Sequence, residues 1–103
     1  MSLPTRIRAE VQGDKTTVRM LLNHAMDNGL RKDDAGNTVP AWFIQRIQVS
    51  CNGRVVLSAY WGTAVSQNPF VQFSFQGGKA GDKIAVSWID NRGEQRSDEA
   101  LIA

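Results

Sequence analysis

Apolar residues recur at every second position over most of this chain, and no stretch keeps the 3.6-residue spacing of a helix. A period of two places successive side chains on opposite faces of an extended strand, so a chain patterned this way folds by stacking half-buried strands. Residues 6–11 set the rule: Ile7, Ala9 and Val11 share one face, while Arg6, Arg8 and Glu10 share the other. Six further segments follow, at residues 16–22, 41–50, 54–61, 70–76, 83–89 and 94–102, each bounded by polar or Gly-containing turns. About seven short strands at regular spacing predict an all-β, immunoglobulin-like β-sandwich. The likeness is one of architecture only, because the Cys-Trp-Cys pattern of antibody domains is missing.

Strand parity also constrains the turns. If Asn52-Gly53 were a two-residue turn, the inward residues of 41–50 and 54–61 would face opposite sides, so parity argues against it. A three-residue loop Cys51-Asn52-Gly53 instead pairs Val49 with Val55 and Ile47 with Leu57. That reading leaves Cys51 in the turn, whereas a loop shifted by one residue makes it the last inward strand position. Residues 70–76 and 83–89 are expected to form a hairpin across 78–81, with Phe75 beside Ile84, Phe73 beside Val86 and Val71 beside Trp88. The glycines Gly77, Gly78 and Gly81 read as hairpin residues, since a phosphate cradle would precede a helix. The charged segment 94–99 reads as a solvated or guarded edge. Between residues 23 and 40 the alternation stops, leaving one long loop, and long loops in small domains often carry function.

With 103 residues, 42% of them hydrophobic and 21% charged, the chain suits a single folded domain spanning 1–103. Twelve Lys and Arg against ten Asp and Glu are scattered along it, which is not a nucleic-acid footprint. No apolar run approaches the roughly 20 residues that cross a bilayer, and residues 1–10 lack the apolar core of an export signal. One Cys and one His fall short of the roughly three or four ligands of a zinc site, so neither metal nor cofactor is expected. His24, where the second strand meets the loop, reads first as a hydrogen-bond partner of the loop backbone, because a catalytic base needs an oriented partner and a nucleophile. Only Arg54 stands near Cys51 in sequence, so the thiol reads as inert. Trp42, Trp61 and Trp88 with four Phe exceed what a small core requires, and some of that aromatic mass suits an interface. No catalytic set assembles, so the chain reads as a module that acts by contact rather than as an enzyme.

The segment His24-Ala25-Met26-Asp27-Asn28-Gly29-Leu30-Arg31-Lys32-Asp33, with Pro40 and Phe43-Ile44 after it, resembles the SoxZ family of sulfur-oxidation proteins. The likeness runs on through Leu57-Ser58-Ala59-Tyr60-Trp61-Gly62, Asn68-Pro69-Phe70, Phe73-Ser74-Phe75, Gly77-Gly78 and Gly81-Asp82. It ends in Val86-Ser87-Trp88-Ile89-Asp90-Asn91, Gly93 and Asp98-Glu99-Ala100. Ala25 stands where the family often has Pro. The resemblance implies a non-catalytic subunit of a thiosulfate-oxidising system, paired with SoxY in a heterodimer. In that pair SoxY holds sulfur intermediates on a cysteine of its Gly-rich carboxyl-terminal arm, and the complex meets other Sox enzymes transiently. The last residues, Ala100-Leu101-Ile102-Ala103, match the Z role and not the Y role. A periplasmic location is implied, reached in complex with a signal-bearing SoxY.

The residues expected at the partner interface are His24, Met26, Arg31, Trp42 and Phe70. A homo-oligomer remains open for the isolated chain. Two other readings compete: an immunoglobulin-like binding or chaperone module unrelated to sulfur, and a small enzyme or redox protein using Cys51 and His24.

Overall fold

The computed structural model describes residues 3–103 and contains seven strands and, among those residues, no helix. In chain order they are β1 (Arg6–Gln12), β2 (Lys15–Leu21), β3 (Ile44–Cys51), β4 (Arg54–Tyr60), β5 (Phe70–Gln76), β6 (Lys83–Asp90) and β7 (Gln95–Leu101). They form two antiparallel sheets, β1-β2-β5 and β4-β3-β6-β7, stacked as an immunoglobulin-like sandwich. Each strand lies within three residues of the position that alternation predicts. The largest difference is the late start of β3 at Ile44, where residues 41–43 still belong to the loop.

The inward positions of the two sheets build one core. Val18, Met20, Leu22, Ile44, Ile47, Val49, Ile84 and Val86 are essentially inaccessible, with Trp88 and Ile102 closing the ends. Each aliphatic side chain removed from water in this way contributes about 1.5–3 kcal/mol before entropy is counted. The strands β2, β3 and β6 supply most of it because each has neighbours on both sides. On the edge strands β4 and β5, by contrast, Leu57, Ala59, Val71, Phe73 and Phe75 are only half buried. The carboxyl terminus covers the outer edge of β1: Ala103 N donates to Ala9 O at 2.8 Å, and Val11 N donates to Ala103 O at 3.3 Å.

Two expectations about pairing are corrected. Asn52-Gly53 is a two-residue turn after all, with φ of 48° and 85° and the pairs Cys51↔Arg54 and Ser50↔Val55. A bulge beyond Ser50 then inserts Val56, so that Val49 pairs with Leu57 and Ile47 with Ala59. The extra residue restores the inward phase that the turn alone would have lost. Cys51 accordingly sits inside the sandwich at the end of β3, 6% exposed.

The second correction concerns residues 70–89, where β5 and β6 do not form a hairpin. β5 pairs with β2 (Val18↔Phe73, Met20↔Val71), and β6 pairs with β3 (Val49↔Val86, Ile47↔Trp88). Residues 77–82 carry the chain from one sheet to the other. They are tied down by Gly77 N to Asp14 O (2.6 Å), Gly81 N to Ile102 O (2.8 Å) and the Thr16 hydroxyl donating to Gly77 O (2.7 Å). Inward faces are required of two strands whether they lie side by side or face to face, so alternation does not distinguish the two arrangements.

Candidate functional site

Residues 23–43 leave β2 at one end of the sandwich and return to β3, and hydrogen bonds order most of this excursion. Asp27 and Trp42 exchange two backbone bonds of 2.7 and 2.9 Å, and Val39 N donates to Arg31 O at 2.7 Å. At the tip, Asp33 Oδ1 accepts from the amides of Ala35 and Asn37, closing an Asx turn. Arg31 Nε reaches back 2.9 Å to Asp27 Oδ1 on the loop's surface.

Beneath the loop lies a buried polar cluster centred on Asp90, the last residue of β6. His24 Nε2 lies 3.1 Å from Asp90 Oδ2, with both side chains almost wholly removed from solvent. Trp42 Nε1 donates to the same oxygen at 2.7 Å, and Asp90 Oδ1 accepts from the amides of Arg92 and Glu94. The other ring nitrogen of His24, Nδ1, accepts from Met26 N at 3.0 Å, which places the proton on Nε2, facing the carboxylate. Burial raises the Asp90 pKa, but the bonds from His24, Trp42, Glu94 and Arg92 lower it by more, and the group is held below the ordinary carboxylate value.

The neighbours of the cluster are bonded with similar care. Asn68 exchanges two bonds with the His24 backbone, and Asn91 bridges Phe43 N and Ala41 O. Met26 adopts a left-handed φ of 50° and turns its sulfur to accept from Ile44 N. His24 stands edge-on to Trp42 and Trp88, at 5.0 and 5.3 Å between ring centroids, and the Arg92 guanidinium lies 4.2 Å from the centre of the Trp42 ring.

Both ring nitrogens of His24 are thus engaged inside the protein, and among the described residues no Ser, Thr or Cys hydroxyl or thiol bonds to the ring. The arrangement fastens the loop and the β6–β7 turn to one anchor. Cys51 is remote from it by sequence and strand position, at the turn end of β3. Burial pushes its thiol pKa up, nearby Asp82 adds to the rise, and Arg54 opposes it. Among the described residues no group of three or more His, Cys, Asp or Glu could hold a metal ion.

The five residues expected at an interface thus divide into two sets. His24 and Met26 are buried, at 6% exposure each, and shape the loop from within. Arg31 lies on the loop's exposed surface, Trp42 is half buried at its base, and Phe70 opens β5 at the same end with 62% exposure. Asp90, Asn68 and Asn91 lie in segments that carry the family resemblance, but their part in this cluster escaped the sequence reading. The one local signal for Asp90 is its place at the start of an Asp-Asn-Arg-Gly turn, where Asp side chains cap backbone amides.

Residues 5–101 match the family model described as Sulphur oxidation protein SoxZ. No curated protein matches the chain.

Proposed function

We propose, from the premise that this chain belongs to the SoxZ family of sulphur oxidation proteins, that it serves sulfur oxidation by contact rather than by chemistry of its own. It is a non-catalytic subunit that binds SoxY and helps present SoxY's cysteine arm, with its covalent sulfur intermediates, to the other Sox enzymes. The observation that carries this reading is the extent of the family match, which takes in every strand of both sheets. The state of Cys51 supports it, because a buried thiol at a strand end is poorly placed to visit several enzymes in turn. So does the engagement of both nitrogens of the only histidine in internal bonds.

The contact surface is proposed at the loop end of the sandwich. Arg31, Trp42 and Phe70 meet the partner there, and His24 and Met26 hold the backbone that presents them. Export to the periplasm in complex with a signal-bearing SoxY completes the reading.

Co-expression with SoxY followed by size-exclusion chromatography tests the pairing, and a stable one-to-one complex is the expected result. Reconstituted thiosulfate oxidation tests the passive role: a Cys51→Ala chain is expected to support turnover as well as the natural one. Loss of turnover from a folded Cys51→Ala complex would instead assign the thiol a chemical role.

A further inference from the structure

The outer face of the three-stranded sheet concentrates positive charge. It carries Arg6, Arg8 and Glu10 from β1 with Lys15 and Arg19 from β2, so four cations stand against one carboxylate. The whole chain has a formal charge of only +2. Arg8 lies directly opposite Arg19 across the ladder, an arrangement that like charges disfavour.

Of the eight arginines, five have partners. Arg31 bonds Asp27, Arg46 bonds Gln48, Arg54 bonds Gln76 O, Arg96 bonds Asp98, and Arg92 covers Trp42. The other three, Arg6, Arg8 and Arg19, make no ion pair or side-chain hydrogen bond with any described residue, and all three belong to this face. Glu10 sits one outward step beyond Arg8, opposite Thr17, and does not pair with either neighbour. Beside the arginines the surface is apolar: Arg6 pairs with Leu21, and Leu21 pairs with the exposed Phe70. Together these five side chains line a shallow depression.

We propose that this face docks an acidic segment of a partner protein. Its carboxylates lie on Arg6, Arg8 and Arg19, and an apolar side chain rests on Leu21 and Phe70. Alternate residues on β1 repeat at about 7 Å, which is also the spacing of alternate side chains in an extended peptide. Each guanidinium offers a planar fork that fits a carboxylate. A small inorganic anion would leave Phe70 and Leu21 unused and would span only part of the cluster. The charges are exposed rather than enclosed, so docking is fast, reversible and sensitive to salt. The proposal rests on the reading of the chain as a contact module and adds the chemistry of one contact.

The test is an NMR titration of the isotope-labelled full chain with a short peptide carrying two glutamates and a leucine at alternate positions. Parallel arms use sodium sulfate, anionic phospholipid vesicles and a single-stranded oligonucleotide. Amide shifts confined to the outer residues of β1, β2 and the start of β5 are expected with the peptide. Affinity should fall about tenfold between roughly 0.02 M and 0.3 M salt.

An R8E/R19E chain should lose at least about tenfold in affinity, as should the milder R8Q/R19Q chain, which guards against misfolding of the reversed-charge form. Phe70→Ser should weaken binding of the leucine peptide more than of its serine analogue, and Lys79→Glu, on a distant loop, should change nothing. Unchanged affinity in both double variants, no binding by the natural chain, or equal binding of sulfate, vesicles or oligonucleotide at the same residues would overturn the proposal. Failure of the natural chain to pair with SoxY would count against the contact reading itself, whatever the peptide does.

Discussion

Asp90 shows how much of this structure depends on a single buried charge. Its carboxylate has no exposed surface and accepts from His24, Trp42 and two backbone amides. The pKa is depressed in the folded chain, so the ionised form contributes stability that is fully present above the ordinary carboxylate value of about 3.9. That contribution is lost as pH falls through the lower folded value. Asp98, held down by Arg96 and the Thr5 amide against the rise from burial, acts in the same direction. Urea denaturation between pH 7 and pH 2.5 should therefore show a steep loss of stability below about pH 4. Asp90→Asn should cost about 2–4 kcal/mol at neutral pH and flatten the acid limb of that profile. The hydrogen bond from Met26 to His24 follows the sequence expectation that the ring serves the loop backbone, because the two residues are neighbours. The partner across the cluster, 66 positions away, was beyond any local pattern. Cys51 carries a second residue-scale prediction. Its thiol, 6% exposed and with its pKa raised, should react with a disulfide reagent roughly a hundredfold or more slowly in the native chain than in urea.

At the scale of the elements, two glycines with similar backbone angles should respond differently to the same change. Gly53 and Gly78 have φ of 85° and 84°, so alanine is strained at both by about 1–2 kcal/mol. A methyl group at Gly53 meets nothing, whereas at Gly78 it runs into the Thr16 hydroxyl and approaches Ile102 within 3.2 Å. Thr16 is fully buried and bonded to Gly77 O, so it has little room to withdraw. Gly78→Ala should therefore lower the thermal midpoint clearly more than Gly53→Ala, as calorimetry of the two variants would show. The strands themselves were legible because Ile7, Val18, Ile47 and Val86 each mark an inward phase that only one face can satisfy. Their partners were not, since the inward phase of Phe73 and Phe75 suits a neighbour in the same sheet and one in the opposite sheet equally well. Likewise, the bulge at Val56 adds a residue without changing the character of the sequence, so parity pointed to a longer turn than the chain uses.

For the molecule as a whole, the dimensions are about 54 by 19 by 19 Å, with a Cα radius of gyration of 15.4 Å. A compact domain of this length would have a radius near 13 Å. The molecule is therefore a rod, with the loop of residues 23–43 and the β6–β7 turn bonded together through Asp90 and Asn91. Hydrogen exchange should show the amides of Asp27, Val39 and Trp42 protected well beyond ordinary loop amides. Trp42→Phe should release those three together while leaving β2 and β6 unchanged. The same fastening has a kinetic corollary. A ligand arriving at that tip finds its landing ground set before contact, so association should proceed without a slow ordering phase and with little conformational entropy lost. Changes that loosen the Asp90 anchorage should therefore show up in recognition chiefly as slower capture, even where every atom that meets the visitor is left in place.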